Sequence, residues 1–273
     1  AMQEDLKLVD IVMELTDARA PLAGRNPDID KLAAGKARMI FLNKADLADD
    51  QATLAWMDYF RKKGITPIRL DARKTNFKKA VVDGVKIACQ EKIERDRRKG
   101  ILNRPIRAMV VGIPNVGKST FINSLAGKTA AKTGNKPGVT RGNQWIKIDK
   151  PLELLDTPGI LWPKFDDEAI GMKLACVGSI SDEVLNMQEI AYHLLSYGQT
   201  NYKQLFEARY GAVPQPDDER DNEIVLWMEN IARQRGCLKR GSETDFDKVS
   251  AQITDDFRSG RIGKVSLEVP KQA

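Results

Sequence analysis

A chain of 273 residues, 42% apolar and 30% charged, can bury a substantial core and has the composition of a globular protein of about two domains. No apolar run is long enough to span a bilayer, and Ala1 to Asp10 lacks a signal-peptide layout, so membrane-spanning and secreted classes are set aside and the cytoplasm is the expected compartment. The net charge of +6 is uneven: residues 174–273 hold 12 Lys/Arg against 16 Asp/Glu, a balance of −4, which leaves +10 for residues 1–173. A basic surface attracts nucleic acid through counterion release, although ordinary solubility charge gives the same sum.

In chain order, the first two-thirds alternates strand-like and helix-like segments, the pattern of a mostly parallel sheet wrapped by helices. Val9 to Leu15 reads as a strand ending in Thr16-Asp17-Ala18-Arg19. Arg38 to Leu42 is a short apolar strand that delivers Asn43, and Thr66 to Leu70 delivers Asp71-Ala72. Arg107 to Val111 precedes a glycine-rich loop, and Trp145 to Ile148 with Leu152 to Leu155 completes six strands. Helices are predicted over 50–63, 76–99 and 118–126. The second of these ends in Glu91 to Lys99, whose mixed charges at helical spacing read first as a solvated face of a linker helix, across the joint between what would normally be the tail and head of the fold, with an RNA contact as the lesser alternative. After Trp162-Pro163-Lys164-Phe165 the strand patterns stop. Ile224, Trp227, Met228 and Ile231 mark one apolar helical stripe, and Val249, Ile253 and Phe257 mark another. Pro214 to Asp221 is a loop between helices. The expected division is therefore 1–165, an α/β domain, and 166–273, a small all-α domain. The three cysteines, Cys89, Cys176 and Cys237, are odd in number and far apart, and read as reduced, mostly buried thiols.

Three motifs carry the chemistry. Gly112-Ile113-Pro114-Asn115-Val116-Gly117-Lys118-Ser119 sits between a strand and a helix, as a phosphate-binding loop requires. Its backbone N–H groups surround phosphates, Lys118 adds charge to the β and γ oxygens, Ser119 ligates Mg2+, and Thr120 opens a helix whose positive end faces the same anion. This motif alone fits ATP or GTP. Asn43-Lys44-Ala45-Asp46 decides for GTP, because a carboxylate at Asp46 accepts from the guanine ring N–H and amine, whereas adenine presents an acceptor and would leave the carboxylate unpaired. Lys44 can lie over the base and Asn43 can tie the two loops together. Asp156-Thr157-Pro158-Gly159 reads as a sensor of Mg2+ and the γ-phosphate. The base reader precedes the phosphate loop along the chain, the reverse of an ordinary guanine-nucleotide switch. Since strand ends converge in space whatever their order, the pocket survives the rearrangement.

This motif order, the loop Gly-Ile-Pro-Asn-Val-Gly-Lys-Ser-Thr and the run Leu-Leu-Asp-Thr-Pro-Gly-Ile-Leu-Trp-Pro-Lys-Phe resemble the circularly permuted GTPases of bacterial ribosome biogenesis. The resemblance runs through almost the whole chain, including Arg235-Gly236-Cys237. It implies a circularly permuted P-loop GTPase domain on a six-stranded, mostly parallel sheet, followed by a helical RNA-binding domain. It also implies late assembly of the large (50S) ribosomal subunit, with that subunit, 23S rRNA and ribosomal proteins as partners; apart from the resemblance, no membrane partner is expected and a monomer is the default. By resemblance, Asn43, Lys44, Ala45 and Asp46 hold the base with support from Asp71 and Ala72. Asn115, Val116, Gly117, Lys118, Ser119 and Thr120 hold the phosphates of GTP or GDP, and the N–H of Gly159 senses the γ-phosphate. Mg2+ falls to Ser119, Asp156 through water, and Thr140 in a first switch within Lys128 to Asn143; Thr133 is the other threonine within reach. Asn115 resembles the asparagine that coordinates K+ in cation-stimulated GTPases.

No catalytic residue is assigned. The position after the Asp-x-x-Gly motif is Ile160, followed by Leu161, and neither orients water as a glutamine would. The resemblance points instead to a histidine in an N-terminal Trp-Phe-Pro-Gly-His-Met segment, but Ala1-Met2 runs straight into Gln3-Glu4-Asp5. Either that segment precedes residue 1 or the protein works without it. His193, the one histidine, lies among Ala191, Leu194 and Leu195 and reads as structural. The expectation is a slow enzyme completed by a partner. Arg233, Arg235, Lys239 and Arg240, with Arg258, Arg261 and Lys264 behind them, are the RNA-binding candidates, against a protein-docking or purely structural bundle. A signalling switch acting through small effector proteins is the alternative function.

Overall fold

The computed structural model describes residues 2–71, 77–113, 116–127, 144–156 and 167–271. The chain divides into two compact units, Ala1–Asp166 with Ser266–Ala273, and Asp167–Val265. In the first unit α1 (Met2–Leu6) leads into β1 (Ile11–Asp17), α2 (Ile29–Leu32), β2 (Ala37–Asn43), α3 (Asp50–Lys62) and β3 (Thr66–Arg69). Then come α4 (Lys78–Ala88), α5 (Gln90–Arg98), β4 (Ile106–Val111), α6 (Lys118–Ala126), β5 (Gln144–Asp149) and β6 (Leu152–Asp156). The strands form a six-stranded sheet in the order β3-β2-β1-β4-β6-β5, parallel except that β5 runs antiparallel to β6. Chain before β4 builds one flank and chain after it builds the other. β4 therefore stands at the topological switch point, where such sheets leave a crevice at the carboxyl ends of their strands.

Every residue of β1 is buried, as a central parallel strand covered on both faces requires. One sheet face packs against α3. Asp49 caps that helix by accepting from the N–H groups of Gln51 and Ala52, and Ala52, Trp56 and Phe60 follow at a spacing that keeps them on one side. Trp56 and Phe60 cluster with Ile40 and Leu42 of β2 and with Ile65, each large side chain contributing about 1.5–3 kcal/mol through burial. On the opposite face Phe121 of α6 lies 4.8 Å from Phe41, ring centre to ring centre.

The segment 76–99, predicted as one helix, breaks at Cys89 (φ −102°, ψ 15°) into α4 and α5. The break falls where the buried stripe ends: α4 buries Val81, Gly84 and Val85, whereas α5 buries no residue. Cys89 is itself buried, and burial first, with Asp10 beside it, pushes its thiol up to about 12 despite Lys92. Such a thiol is protonated and unreactive at neutral pH. Cys176 and Cys237 are likewise buried.

The second unit contains α7 (Glu168–Val177), α8 (Met187–Asn201), α9 (Lys203–Tyr210), α10 (Glu223–Arg235) and α11 (Phe246–Ser259). Asp167, Asn186, Asn222 and Asp245 cap four of these helices through side-chain oxygens. Ile224, Trp227, Met228 and Ile231 are buried on α10, as are Val249, Ile253 and Phe257 on α11. None of the described helices is long and apolar enough to cross a membrane.

The helical region was expected to run from 166 to 273, but its last stretch belongs elsewhere. Residues from Ser266 onward return to the sheet unit. Leu267 N–H donates to the Arg19 carbonyl at 2.8 Å, and Ser266 Oγ accepts from Asp49 N–H at 3.0 Å. Glu268 Oε1 accepts from the N–H groups of Leu22 and Ala23 at 2.9 and 3.2 Å, and the Glu268 carbonyl accepts from Trp56 Nε1 at 3.0 Å. The tail thus satisfies the indole of the main aromatic anchor and the backbone of the loop after β1.

Candidate functional site

The loops that follow β1, β2, β3 and β4 emerge at one edge of the sheet, because these strands are parallel and neighbouring. Asp17 and Asn43 end β1 and β2 in register with each other. Asn43 is only 2% exposed. Its Nδ2 donates to the Val116 carbonyl at 3.1 Å, and its Oδ1 accepts from Lys44 N–H at 2.9 Å. One side chain therefore bridges the Asn43–Asp46 loop and the phosphate loop, 73 residues further along. Lys44 takes a left-handed conformation (φ 56°, ψ 37°), uncommon for a residue with a Cβ and a sign that the neighbouring contacts fix this turn. Ala45 N–H then donates to the Leu70 carbonyl, and Leu70 N–H to that of Leu42, so the turn is stitched to the chain just before Asp71. Asp46 and Asp71 are both half-buried.

The phosphate loop is held by close approaches. A Cβ at Gly112 would stand 2.9 Å from Val116 Cγ1 and 3.1 Å from the Leu15 carbonyl oxygen, so the loop folds back on itself only with glycine there. Gly117 has φ 96°, and a Cβ there would also press on Asn43 Nδ2 at 3.1 Å. Lys118 and Ser119 form the first turn of α6 and are half-buried, and Thr120 is exposed. The orphan N–H groups of that first turn sit directly after the loop. Phe121, Ile122 and Leu125 anchor the rest of the helix in the core.

Beneath the base-reading loop lies a pair that composition and motif reading missed. Arg19 Nε and Nη2 donate to Asp17 Oδ1 and Oδ2 at 2.9 and 2.8 Å, and Arg19 N–H adds a third bond to Oδ1 at 2.9 Å. Both side chains are almost wholly buried. Burial alone would raise the Asp17 carboxyl, but Arg19, helped by Lys44, outweighs it and holds that carboxyl below the usual carboxylate range. Ala18 N–H donates to the Asn43 carbonyl at 2.8 Å, which joins this pair to the end of β2. An acid and a base two residues apart at the end of an apolar strand was the available signal. On the same strand buried Glu14 accepts from Arg25 at 2.7 Å and from Arg38 at 2.8 Å, and Asp30 accepts from both arginines.

Asp156 is the last residue of β6, the strand paired with β4, so its backbone ends beside the phosphate-loop strand. Ala72, Asn115, Thr140, Gly159, the Lys128 to Asn143 segment with Thr133, and Ile160 and Leu161 lie outside the described residues.

In the helical unit the RNA-binding candidates separate into two kinds. Arg233, Lys239 and Arg240 are exposed. Arg235 is instead drawn into a structural hub: its Nη1 donates to Asp256 Oδ2 at 2.9 Å and its guanidinium lies 5.1 Å from the Tyr210 ring centre. Asp256, 3% exposed, also accepts from Arg209 and Tyr210, and lies 3.5 Å from Arg261. Arg258 likewise donates to the carbonyls of Ala175 and Cys176, at the end of α7. His193 is partly buried beside Tyr197, and burial, with Lys173, lowers its pKa.

With this geometry in hand, the chain can be set beside known proteins. It is 46% identical over 269 residues to ribosome biogenesis GTPase A of Bacillus cereus, covering 98% of this chain and 89% of that one. It is also 46% identical over 271 residues to the protein of the same name from Priestia megaterium, covering 99% and 92%. The chain belongs to the ribosome biogenesis GTPase A family. Membership makes it a GTPase, with the circularly permuted α/β fold of that family. A family model described as 50S ribosome-binding GTPase matches residues 107–211. Among solved structures, GDP-bound TM YlqF superposes with a TM-score of 0.72 at 28% identity over 99% of both chains. GNP-bound YlqF from T. maritima superposes with a TM-score of 0.67 at 29% identity, covering 100% of this chain and 97% of that one.

Proposed function

We propose that this chain is a GTP-dependent assembly factor that acts in late maturation of the large (50S) ribosomal subunit, and that the carboxyl edge of its sheet is a single guanine-nucleotide pocket. The observation that carries the pocket is the 3.1 Å bond from Asn43 Nδ2 to the Val116 carbonyl, which joins base reader to phosphate loop. In this reading Asp46 accepts from guanine, Lys44 lies along the base, and Ala45, Asp71 and Ala72 frame it. Asn115, Val116, Gly117, Lys118, Ser119 and Thr120 hold the phosphates, and Gly159 donates to the γ-phosphate.

Mg2+ suits the donors present. This ion takes one or two protein oxygens and completes its shell with phosphate and water, and Ser119 offers its hydroxyl in the first turn of α6, the helix that follows β4, while Asp156 ends β6, the strand paired with β4. Thr140 would join them, and Asn115 would hold K+. When bound, Mg2+ neutralises charge on the β and γ oxygens. With Ile160 and Leu161 where a water-orienting glutamine would stand, hydrolysis by the chain alone is slow, and the ribosomal subunit completes the site.

The chain leaves the γ-phosphate sensor at Gly159 and enters the helical unit at Asp167, so a short stretch of chain links nucleotide state to the helical unit. Large-subunit rRNA and ribosomal proteins are the partners, the cytoplasm is the compartment, and Arg233, Lys239 and Arg240 are the helical unit's exposed RNA contacts. Co-sedimentation with 50S subunits tests the reading. Binding should be tighter with a non-hydrolysable GTP analogue than with GDP, and ATP should not substitute. Equal binding in the two nucleotide states, or equal affinity for ATP and GTP, would overturn it.

A further inference from the structure

Residues 1–173 carry a charge of +10, more than one nucleotide uses, and much of that excess collects far from the nucleotide pocket. Residues 92–107 hold seven Lys/Arg against two Asp/Glu. They run from α5 through an exposed connection into the amino end of β4, the end opposite the phosphate loop. A six-residue strand places the two ends of β4 about 20 Å apart. Beside this segment an open groove of about 770 Å³ is lined by Arg104 and Pro105 on one side and by Lys147, Lys150 and Pro151 of the β5–β6 hairpin on the other. Strand register joins the two walls, since Ile106 pairs with Leu152 and Ile106 N–H donates to the Pro151 carbonyl at 2.8 Å.

Two carboxylates, Asp149 and Glu153, also line the groove, so its walls carry three cations against two anions. Asp96 is bonded to Lys92 at 3.0 Å, Glu153 faces Arg107 at 3.4 Å, and Asp149 accepts from the Lys150 N–H. Asp10 joins α5 to the start of β4, standing 3.7 Å from Lys92 and accepting from the Arg107 N–H at 3.0 Å. Arg97, Arg98, Lys99, Lys147 and Lys150 are exposed and make no ion pair among the described residues. Arg104, Lys147 and Lys150 line the groove, and Arg97, Arg98 and Lys99 end the helix that leads into it; cations in excess beside an open groove are the electrostatic footprint of a polyanion backbone.

We infer that the amino edge of the sheet is a second RNA-binding surface, in which Arg97, Arg98, Lys99, Arg104, Lys147 and Lys150 contact the phosphates of a folded RNA independently of the bound nucleotide. Its contacts are to backbone, so it supplies affinity and salt dependence rather than sequence preference. The surface deepens the ribosome-assembly reading, on which it rests only for which RNA is met in the cell.

The test uses the full chain and a 20-base-pair RNA duplex as probe. Replacing Arg97, Arg98, Lys99, Lys147 and Lys150 together with glutamine should weaken duplex binding at least tenfold, and should lower the slope of log affinity against log salt by about 3.5–4.5, at roughly 0.7–0.9 per lost phosphate contact. The loss should be equal with GDP and with a GTP analogue, and GTP affinity should not change. Unchanged duplex affinity and slope would overturn the inference. So would an equal loss on neutralising Arg61, Lys62 and Lys63 instead, exposed cations at the end of α3, which would make the attraction a diffuse property of net charge. A variant that loses 50S binding while keeping duplex binding would show that the groove meets a ribosomal protein, and would overturn it too. Because the probe is isolated RNA, failure of the unaltered protein to sediment with subunits would break the assembly reading without touching this measurement.

Discussion

The two units bury their charge in different places and for different ends. In the sheet unit the buried ionic groups gather along β1. Asp17 with Arg19 closes under the base-reading turn, and Glu14 gathers Arg25 and Arg38. In the helical unit one carboxylate, Asp256, gathers Arg209, Arg235 and Arg261 between helices and touches no candidate ligand. Buried charge is costly wherever it sits, so its location indicates what it fixes. Along β1 it fixes the geometry of loops, and at Asp256 it fixes helix packing. Damage to the first should appear in nucleotide binding, and damage to the second in stability.

The largest effect should come from Asp46→Ala. Removing the guanine acceptor should lower GTP affinity by about 100-fold or more and bring GTP and ATP close together, as nucleotide titration would read, with little change in thermal stability. Asp256→Asn should do the reverse. Loss of a buried partner costs roughly 3–5 kcal/mol, discounted to about 2–4 because the arginines are partly exposed, so the melting transition should fall while GTP affinity holds. If Asp256→Asn weakened GTP binding tenfold, the division between the two kinds of buried charge would fail.

The same carboxylate sets a pH dependence. Burial alone would raise the Asp256 carboxyl, but Arg209, Tyr210 and Arg235 hold it below its ordinary value. A depressed carboxylate contributes stability that is fully present above its unfolded pKa, near 3.9, and is lost as pH falls through the lower folded value. Denaturant melts should therefore change little between pH 7 and about 5 through this group, and weaken below about 4. In Asp256→Asn that acid-sensitive loss should shrink. Smaller again, Asn43→Ala leaves the Val116 carbonyl without its partner and should cost about 1–2 kcal/mol, or roughly tenfold in GTP affinity. Glu268→Ala, at the tail, should lower stability by about 1 kcal/mol and leave nucleotide binding alone.

How far these features were legible depended on whether they were local. The strands were, since apolar runs such as Arg38 to Leu42 end where the chain must turn, and the observed β2 differs by one residue at each end. The helical stripes on α10 and α11 were legible for the same reason. The bond from Asn43 to the phosphate loop was inferable only because both motifs declare their chemistry. The break at Cys89 was not, because mixed charge and apolar spacing continue through it while the buried stripe of α4 comes to an end. Arg235 looked like part of a surface cluster because nothing near it in sequence announces Asp256, 21 residues away. The tail escaped notice too, since its partners, Arg19, Leu22, Asp49 and Trp56, are more than 200 positions upstream.

That returning tail makes the helical unit an excursion from the nucleotide-binding body rather than an appendage at its end. A protein cut after residue 165 would forfeit part of its own first unit, leaving the Trp56 indole and the amides of Leu22, Ala23 and Asp49 to water. Its poor behaviour would then be misread as dependence on the missing helices. By the same logic, a fluorophore placed after Glu268 would travel with the GTP pocket, and only one set inside 167–265 could follow the other body.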